Sequence, residues 1–91
     1  MVAGLKQRQS KQIEMIAVDS SNIQSIGYNE KTARLFVRFR DGGKLYYYDP
    51  TPAVVYLGLL HSQSKGSYLH TQVIPFFRCT RASESDLTKE A

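Results

Sequence analysis

The stretch RLFVRFRDGGKLYYYDP, residues 34–50, decides the fold. Its first part alternates: Leu35, Val37 and Phe39 share one side of an extended chain, and the other side carries Phe36 among arginines. Such alternation is typical of a β-strand with one buried face. The Asp-Gly-Gly that follows indicates a hairpin, because glycine adopts the positive φ that tight turns need. We therefore predict a β-hairpin whose return strand holds three consecutive tyrosines.

The length of the hairpin turn determines which tyrosines face the core. A two-residue turn pairs Val37 with Tyr46 and Leu35 with Tyr48, so that both tyrosines join the apolar face. A three-residue turn reverses this parity and places the same two tyrosines outside. We favour the two-residue turn because it collects one consistent apolar set. In that register the middle tyrosine, Tyr47, faces the arginines.

The segments on either side of the hairpin complete the predicted fold. Upstream, an apolar pattern predicts a strand near residues 22–28. Downstream, TPAVVYLGLLHS predicts a helix with Thr51 as its N-cap and Pro52 at the first helical position. SYLHTQVIP predicts a short second helix capped by Ser67, and FFRC an extended segment that packs back. The expected fold class is α+β: a three-stranded antiparallel β-meander with one helix packed on one face and a short second helix.

Composition divides the 91 residues into one domain between two charged extensions. Residues 1–14 predict a disordered basic extension, residues 15–81 the folded domain, and residues 82–91 a disordered acidic tail. Residues 1–81 hold 11 Lys and Arg against 5 Asp and Glu, a balance of +6. A basic domain of this size favours polyanions or acidic protein surfaces as partners.

The sequence also bears on the compartment. No apolar run approaches the ~18 residues that a membrane-spanning helix needs, and the basic N-terminal residues are not followed by the apolar segment of a secretory signal. The chain has one cysteine, Cys79, which excludes an intramolecular disulfide and favours a reducing compartment. We expect a cytoplasmic protein with no membrane partner.

Residues that carry chemistry are few. Cys79 lies close to two arginines, but a lone thiol at the edge of the core is the simpler interpretation. His61 falls near the end of the predicted first helix, where the helix dipole favours a cation. With His70, these residues lack the paired short spacing of a zinc site. Ser-Lys-Gly-Ser at 64–67 offers backbone N–H groups to an anion, although an ordinary loop explains it as well. We expect no catalytic residue, no metal and no cofactor.

Several segments, taken in order, match a known pattern: SSNIQSIGY, LFVRF, the hairpin glycine, YYY, VYLGLL and SKGSYLH. Together they resemble the KTSC domain family over about residues 18–78. The family takes its name from the C-terminal domain of certain lysyl-tRNA synthetases, and it includes small stand-alone bacterial and phage proteins. The resemblance implies that Tyr46 and Tyr48 are the family's tyrosine pair. It also implies RNA binding, by association alone.

The strand face opposite the core gives the leading functional hypothesis. In the favoured register it carries arginines around an aromatic pair, an arrangement on which unstacked bases can stack. We predict a small non-catalytic module that binds RNA or single-stranded nucleic acid. The predicted contacts come from Arg34, Phe36, Arg38, Arg40, Lys44, Tyr47 and Lys65.

Two other interpretations of this face stay open. Phe36 and Tyr47 can form a cross-strand pair that the N-terminal extension or another subunit covers, with Arg34–Asp49 as a surface ion pair. An exposed patch of aromatic residues and arginine can also bind a protein. The alternative function is therefore a protein-interaction module, such as a phage-type effector that modulates a host protein.

Overall fold

A computed structural model describes residues 11–89 of the chain. Its main feature is an antiparallel sheet of five strands in the order β2-β3-β4-β5-β6. These strands are β2 (Ile16–Ala17), β3 (Ile23–Asn29), β4 (Arg34–Phe39), β5 (Leu45–Asp49) and β6 (Arg78–Arg81). A separate two-stranded ribbon pairs β1 (Lys11–Gln12) with β7 (Thr88–Lys89).

Helical segments connect β5 to β6 and precede β7. The helix α1 spans Ala53–His61, and α2 (Lys65–Tyr68) continues directly into π-helical turns at Leu69–Val73. A 3₁₀ turn at Glu84–Leu87 leads into β7. Within the described residues, no helix has the length and apolar character to cross a membrane.

The α+β class and the two helices are confirmed, but the expectation of three strands is wrong. The predicted meander corresponds to β3, β4 and β5, and β2 and β6 extend it at its two edges. The strand β2 has two residues, too few to show an alternating pattern. The strand β6 reads Arg-Cys-Thr-Arg, whose side chains do not alternate between apolar and polar. The sequence of neither edge strand therefore shows the apolar–polar alternation that predicts a strand.

The hairpin register is confirmed. Leu35 pairs with Tyr48 and Val37 with Tyr46. The turn is longer than predicted, because Phe39 N–H bonds to the Lys44 carbonyl at 2.8 Å and leaves four residues between them. Gly42 and Gly43 take the last two turn positions, both with positive φ (72° and 64°). A two-residue turn and a four-residue turn both contain an even number of residues. The same side chains of the return strand therefore face the core in either case.

Two helix caps differ from the prediction. Thr51 is fully buried and its hydroxyl donates a hydrogen bond to the Tyr48 carbonyl at 2.8 Å, so it ties the strand end to the chain that follows. The helix α1 begins at Ala53, with the extended Pro52 at its N-cap. The cap of α2 is Ser64 instead of Ser67, since Ser64 Oγ accepts from the backbone N–H three residues later at 3.3 Å.

One hydrophobic core lies between the sheet and the helices. The fully or nearly fully buried members are Ile23, Ile26, Leu35, Val37, Tyr48, Leu59, Leu69 and Val73. At its side, Tyr28 of β3 stacks on Tyr56 of α1 with ring centroids 5.2 Å apart. The Tyr28 hydroxyl donates to the Thr51 carbonyl, which fixes the start of the helix against the sheet.

A second hydrophobic core covers the opposite face of the sheet, which we call the back face. Its buried members are Ile13, Phe36, Leu45, Ala82 and Leu87. The N-terminal segment crosses the sheet at Gly27, where an added Cβ would come 2.7 Å from Met15 Sδ and 2.9 Å from the Glu14 carbonyl oxygen. A residue without a side chain is therefore required at this crossing.

The predicted boundaries at residues 15 and 81 are wrong, because chain on both sides of them is folded. Ile13 and Leu87 are buried, and the Ile13 N–H donates to the Leu87 carbonyl at 2.6 Å. The acidic residues that suggested a solvated tail have structural partners: Asp86 accepts from the Ser83 N–H at 2.9 Å and Glu84 pairs with a strand arginine. The expectation of disorder at residues 1–10, 90 and 91 concerns positions outside the described residues.

If the back-face core contributes to stability, Leu87→Ala should lower the free energy of unfolding by about 2–5 kcal/mol, the usual cost of truncating a buried leucine. The same substitution at Leu57, which is 49% exposed on α1, should cost no more than about 0.5 kcal/mol. Urea unfolding followed by circular dichroism measures both. Equal midpoints for the two variants would show that residues 82–89 do not belong to the folded unit.

Candidate nucleic-acid interface

The predicted stacking platform is not exposed. Phe36 has no accessible surface and packs edge-to-face against Tyr47, with ring centroids 5.6 Å apart and an interplanar angle of 62°. The expectation that bases stack on Phe36 is therefore wrong. The structure shows the covered cross-strand pair, and its cover comes from the N-terminal segment together with the C-terminal turn.

The arginines of the back face make intramolecular contacts. The Arg34 guanidinium lies 4.2 Å from the centroid of the Tyr47 ring, and its Nε is 3.8 Å from Asp49 Oδ2. Arg38 donates to the Gly43 carbonyl at 2.9 Å and lies 2.8 Å from a carboxylate oxygen of Glu84. Arg38, Phe36 and Tyr47 thus help to hold the terminal segments on the sheet, and Arg34 links β4 to β5.

The three remaining predicted residues, Arg40, Lys44 and Lys65, lie elsewhere. Arg40 follows β4 and donates from Nε to the Ser20 carbonyl at 2.6 Å and from Nη2 to the Val18 carbonyl at 3.2 Å. Both acceptors are neutral carbonyls, so neither of them offsets the positive charge of the exposed guanidinium. The Lys65 ammonium group donates to the Ser62 carbonyl, which is likewise neutral.

An aromatic pair does reach the surface, but on the helix side of the sheet. Phe39 and Tyr46 are half-buried neighbours at the turn end of the hairpin, with ring centroids 5.8 Å apart and an interplanar angle of 72°. The Arg81 guanidinium lies over the Tyr46 ring, 5.5 Å from its centroid. Both rings line a surface cavity of about 350 Å³, whose other lining residues are Ser21, Asn22, Asp41 and Lys44.

A second, polar cleft adjoins this cavity. It has a volume of about 420 Å³ and lies between the loop before β3 and the loop that enters α2. Ser21 and Asn22 line both spaces, so the cavity and the cleft are neighbours at this loop, and together we call them the turn-end groove. The other residues of the polar cleft are Asp19, Ser20, Gln63, Ser64, Lys65, Gly66, Ser67 and His70.

The loop that divides the groove is held in place by short-range hydrogen bonds. Ser20 Oγ accepts from the backbone N–H of Asn22 at 3.3 Å and of Ile23 at 3.2 Å. The Ser20 carbonyl receives the Arg40 side chain. The hairpin turn and the loop before β3 are therefore cross-linked, which gives the groove a fixed wall.

The groove carries more positive than negative side chains. Arg40, Lys44, Lys65 and Arg81 lie in or beside it, against the carboxylates of Asp19 and Asp41. Such a balance suits a ligand with negative charge and exposed ring faces.

Sequence reasoning missed Phe39, Tyr46 and Arg81 because strand alternation assigned the two aromatic residues to the core. They do belong to the core face, but burial decreases along the hairpin from Leu35 and Tyr48 towards the turn. The position of an aromatic pair next to a turn was the signal that could have found them. Arg81 had no such signal, because the predicted extended segment FFRC covers only the first half of β6 and ends at Cys79.

Two of the residues that carry chemistry can be placed on the structure. Cys79 is exposed on β6, and His70 lies at the polar cleft. Across residues 11–89, no three residues among His, Cys, Asp and Glu lie close enough together to hold a metal ion. Opposite Cys79, burial raises the pKa of the Tyr48 phenol far above its usual value, and the neighbouring thiol adds to the shift.

The raised pKa of Tyr48 predicts a loss of stability in alkali. The folded protein keeps the phenol proton at pH values where the unfolded chain, with a tyrosine pKa of 10.0, has released it. The stabilisation is complete below this value and decreases as the pH rises above it. In urea unfolding between pH 9 and about 11, Tyr48→Phe should show a shallower decrease in unfolding free energy than the native protein. Parallel curves would contradict the assignment.

With this geometry established, the chain can be compared with known proteins. The model of the KTSC domain family matches residues 19–77. The chain belongs to the KTSC domain family. A crystal structure of a KTSC domain protein from Yersinia pestis is similar, with a TM-score of 0.73 and 28% sequence identity over 78% of this chain and 99% of that chain. A search of curated proteins gives no match.

The family match can be placed on the structure. Residues 19–77 contain every groove residue named above except Arg81. The edge strands β2 and β6 lie outside the match, as do the segments at 11–15 and 82–89 that supply the back-face cover. The family model thus covers the groove and the three central strands, and it does not extend to the segments that supply the back-face cover.

Proposed function

We propose that this protein is a small non-catalytic module that binds single-stranded nucleic acid, RNA in particular, along the turn-end groove. The observation that supports the proposal best is the half-buried Phe39–Tyr46 pair with the Arg81 guanidinium above one ring. Aromatic rings beside arginine, on a surface with excess positive charge, are the usual means of binding unstacked bases without reading a duplex.

The aromatic cavity would hold a base. Its volume of about 350 Å³ falls in the range of small-ligand cavities, and its walls combine two ring systems with Ser and Asn side chains. Stacking a base on an aromatic side chain contributes about 1–3 kcal/mol, as measured by substitution. The Asn22 amide in the shared wall offers a donor and an acceptor to a base edge.

The cations along the groove would neutralise the phosphates. Lys44 lines the aromatic cavity and Lys65 the polar cleft, so a strand that follows the groove passes both. Each phosphate neutralised releases counterions, which makes binding depend on salt. The serine hydroxyls of the polar cleft can bond to a ribose 2′-hydroxyl, which is why we favour RNA as the ligand.

Of the seven predicted contact residues, the proposal retains Arg40, Lys44 and Lys65. The other four are replaced by Phe39, Tyr46 and Arg81, because the back face is covered. Kinship with the C-terminal domains of lysyl-tRNA synthetases and a cytoplasmic location stay predictions from the sequence, and the proposal does not depend on them.

The proposal predicts that binding weakens when one ring is replaced by an apolar side chain that has no π face. Tyr46→Leu should reduce affinity for a fluorescein-labelled oligouridine by about fivefold to 100-fold, which corresponds to the loss of one stacked base. Fluorescence anisotropy measures the affinity, and circular dichroism confirms that the variant is folded. Unchanged affinity in a folded variant would contradict stacking at this position.

The charge of the groove gives a second test in the same assay. With three or four phosphates engaged, the logarithm of the association constant should fall with the logarithm of salt concentration at a slope of about −2 to −3. Lys44→Glu should weaken binding and make this slope shallower by about 0.7 to 1. The matched control is Lys31→Glu, an equal charge change at the exposed β3–β4 turn, at the other end of the hairpin. Equal effects of the two substitutions would mean that only net charge matters.

A further inference from the structure

Among residues 11–89, no strand pairs with the outer edge of β6, the last strand of the sheet. In an antiparallel ladder, the residues that exchange hydrogen bonds with a given neighbour alternate along the strand. Ala82 N–H bonds to the Leu45 carbonyl at 2.9 Å, so Thr80 and Arg78 are the next residues of β6 that bond inward to β5. The backbone groups of Cys79 and Arg81 therefore point away from the sheet.

This edge is accessible. β6 is the terminal strand of the five, and no strand of the described part of the chain pairs with its outer side. Arg78, Cys79 and Arg81 are all exposed. The two outward residues present two N–H donors and two carbonyl acceptors, which can form four hydrogen bonds with an added strand.

The side chains of the edge select the partner by charge. Arg78 lies opposite Asp49 on the back-face side, and Arg81 lies opposite Tyr46 on the helix side, so the two arginines flank the edge on different faces. Charged residues on an edge strand usually discourage self-pairing. A second copy of β6 would bring four arginines into one ladder of four residues, which opposes a symmetric dimer at this edge.

We propose that the outer edge of β6 binds an extended segment of a partner protein that carries acidic residues three positions apart. In an antiparallel added strand, the residues opposite Arg78 and Arg81 are separated by three positions and fall on opposite faces. Directly opposed Cβ atoms lie about 4.5–5.5 Å apart, within reach of a carboxylate–guanidinium contact on each face. The backbone bonds hold the segment, and the spacing of its two acids sets the register.

The observations behind this proposal are separate from those behind the proposed nucleic-acid function, although Arg81 borders both surfaces. The first experiment therefore changes a residue outside the groove. In Cys79→Pro, the lost N–H is one that faces solvent, and proline is tolerated at such a position of an edge strand. The bonds from β6 to β5 are unaffected, because Cys79 does not contribute its backbone groups to them.

The probe is an end-blocked, fluorescein-labelled peptide of eight residues, alternating valine and threonine except for two glutamates three positions apart. One control peptide has the glutamates two positions apart, and another has lysines in their place. We expect the native protein to bind the first peptide at least about tenfold more tightly than either control in anisotropy titrations. Cys79→Pro should weaken this binding by about fivefold or more, and Thr80 amide protection in hydrogen exchange should confirm an intact ladder.

A charge-reversed protein provides a test that does not depend on the proline variant. The double variant Arg78→Glu, Arg81→Glu should prefer the lysine peptide over the glutamate peptide, reversing the order seen with the native protein. The proposal is overturned if glutamate spacing has no effect or if the reversed protein keeps the original preference. Peptide binding that is unaffected by Cys79→Pro in a folded variant would also overturn the proposal. So would a dimer, seen by analytical ultracentrifugation, that Cys79→Pro dissociates, because the edge would then bind a second copy of this chain.

Discussion

Burial of Phe36 on the back face of the sheet is the constraint on which the rest of the structure depends. An aromatic side chain in the middle strand must be covered, and α1 and α2 both pack against the opposite side of the sheet. The cover is made from two segments far apart in sequence, joined by the bond from the Ile13 N–H to the Leu87 carbonyl. Gly27 leaves room for one of them, and the Arg38–Glu84 ion pair attaches the other to the sheet.

This cover changes what the positive charge of the protein can do. Arg34 and Arg38 lie on the covered face, and tyrosine, carboxylates and a backbone carbonyl occupy their guanidinium groups. Arg40, two residues further along, donates to the neutral carbonyls of Ser20 and Val18 and stays exposed. Arginines that look equivalent in the sequence therefore differ in function: two fasten the fold, and the third is available beside the turn-end groove.

The two proposed binding surfaces meet at Arg81. On one side its guanidinium covers the Tyr46 ring, where a base would stack, and on the other its backbone forms part of the free edge of β6. A strand added to β6 would place a carboxylate close to this guanidinium and draw it away from the ring. A peptide at the edge and a nucleic acid in the groove would then compete for one side chain, which couples the two surfaces physically.

The sequence by itself determined the centre of the fold. The hairpin and its core face were predictable from the alternation of apolar residues around Leu35 and Val37 and from the Asp-Gly-Gly turn. The change to helical spacing after the hairpin was sufficient to predict both helices. Alternation separates two faces of a strand, but it does not say which face receives a second layer. Only the tertiary structure decided that, because the residues that cover Phe36 are far from it in sequence and the edge strands are too short or too polar to show a period. The open surface therefore had to be found in the fold, at the turn end of the same hairpin.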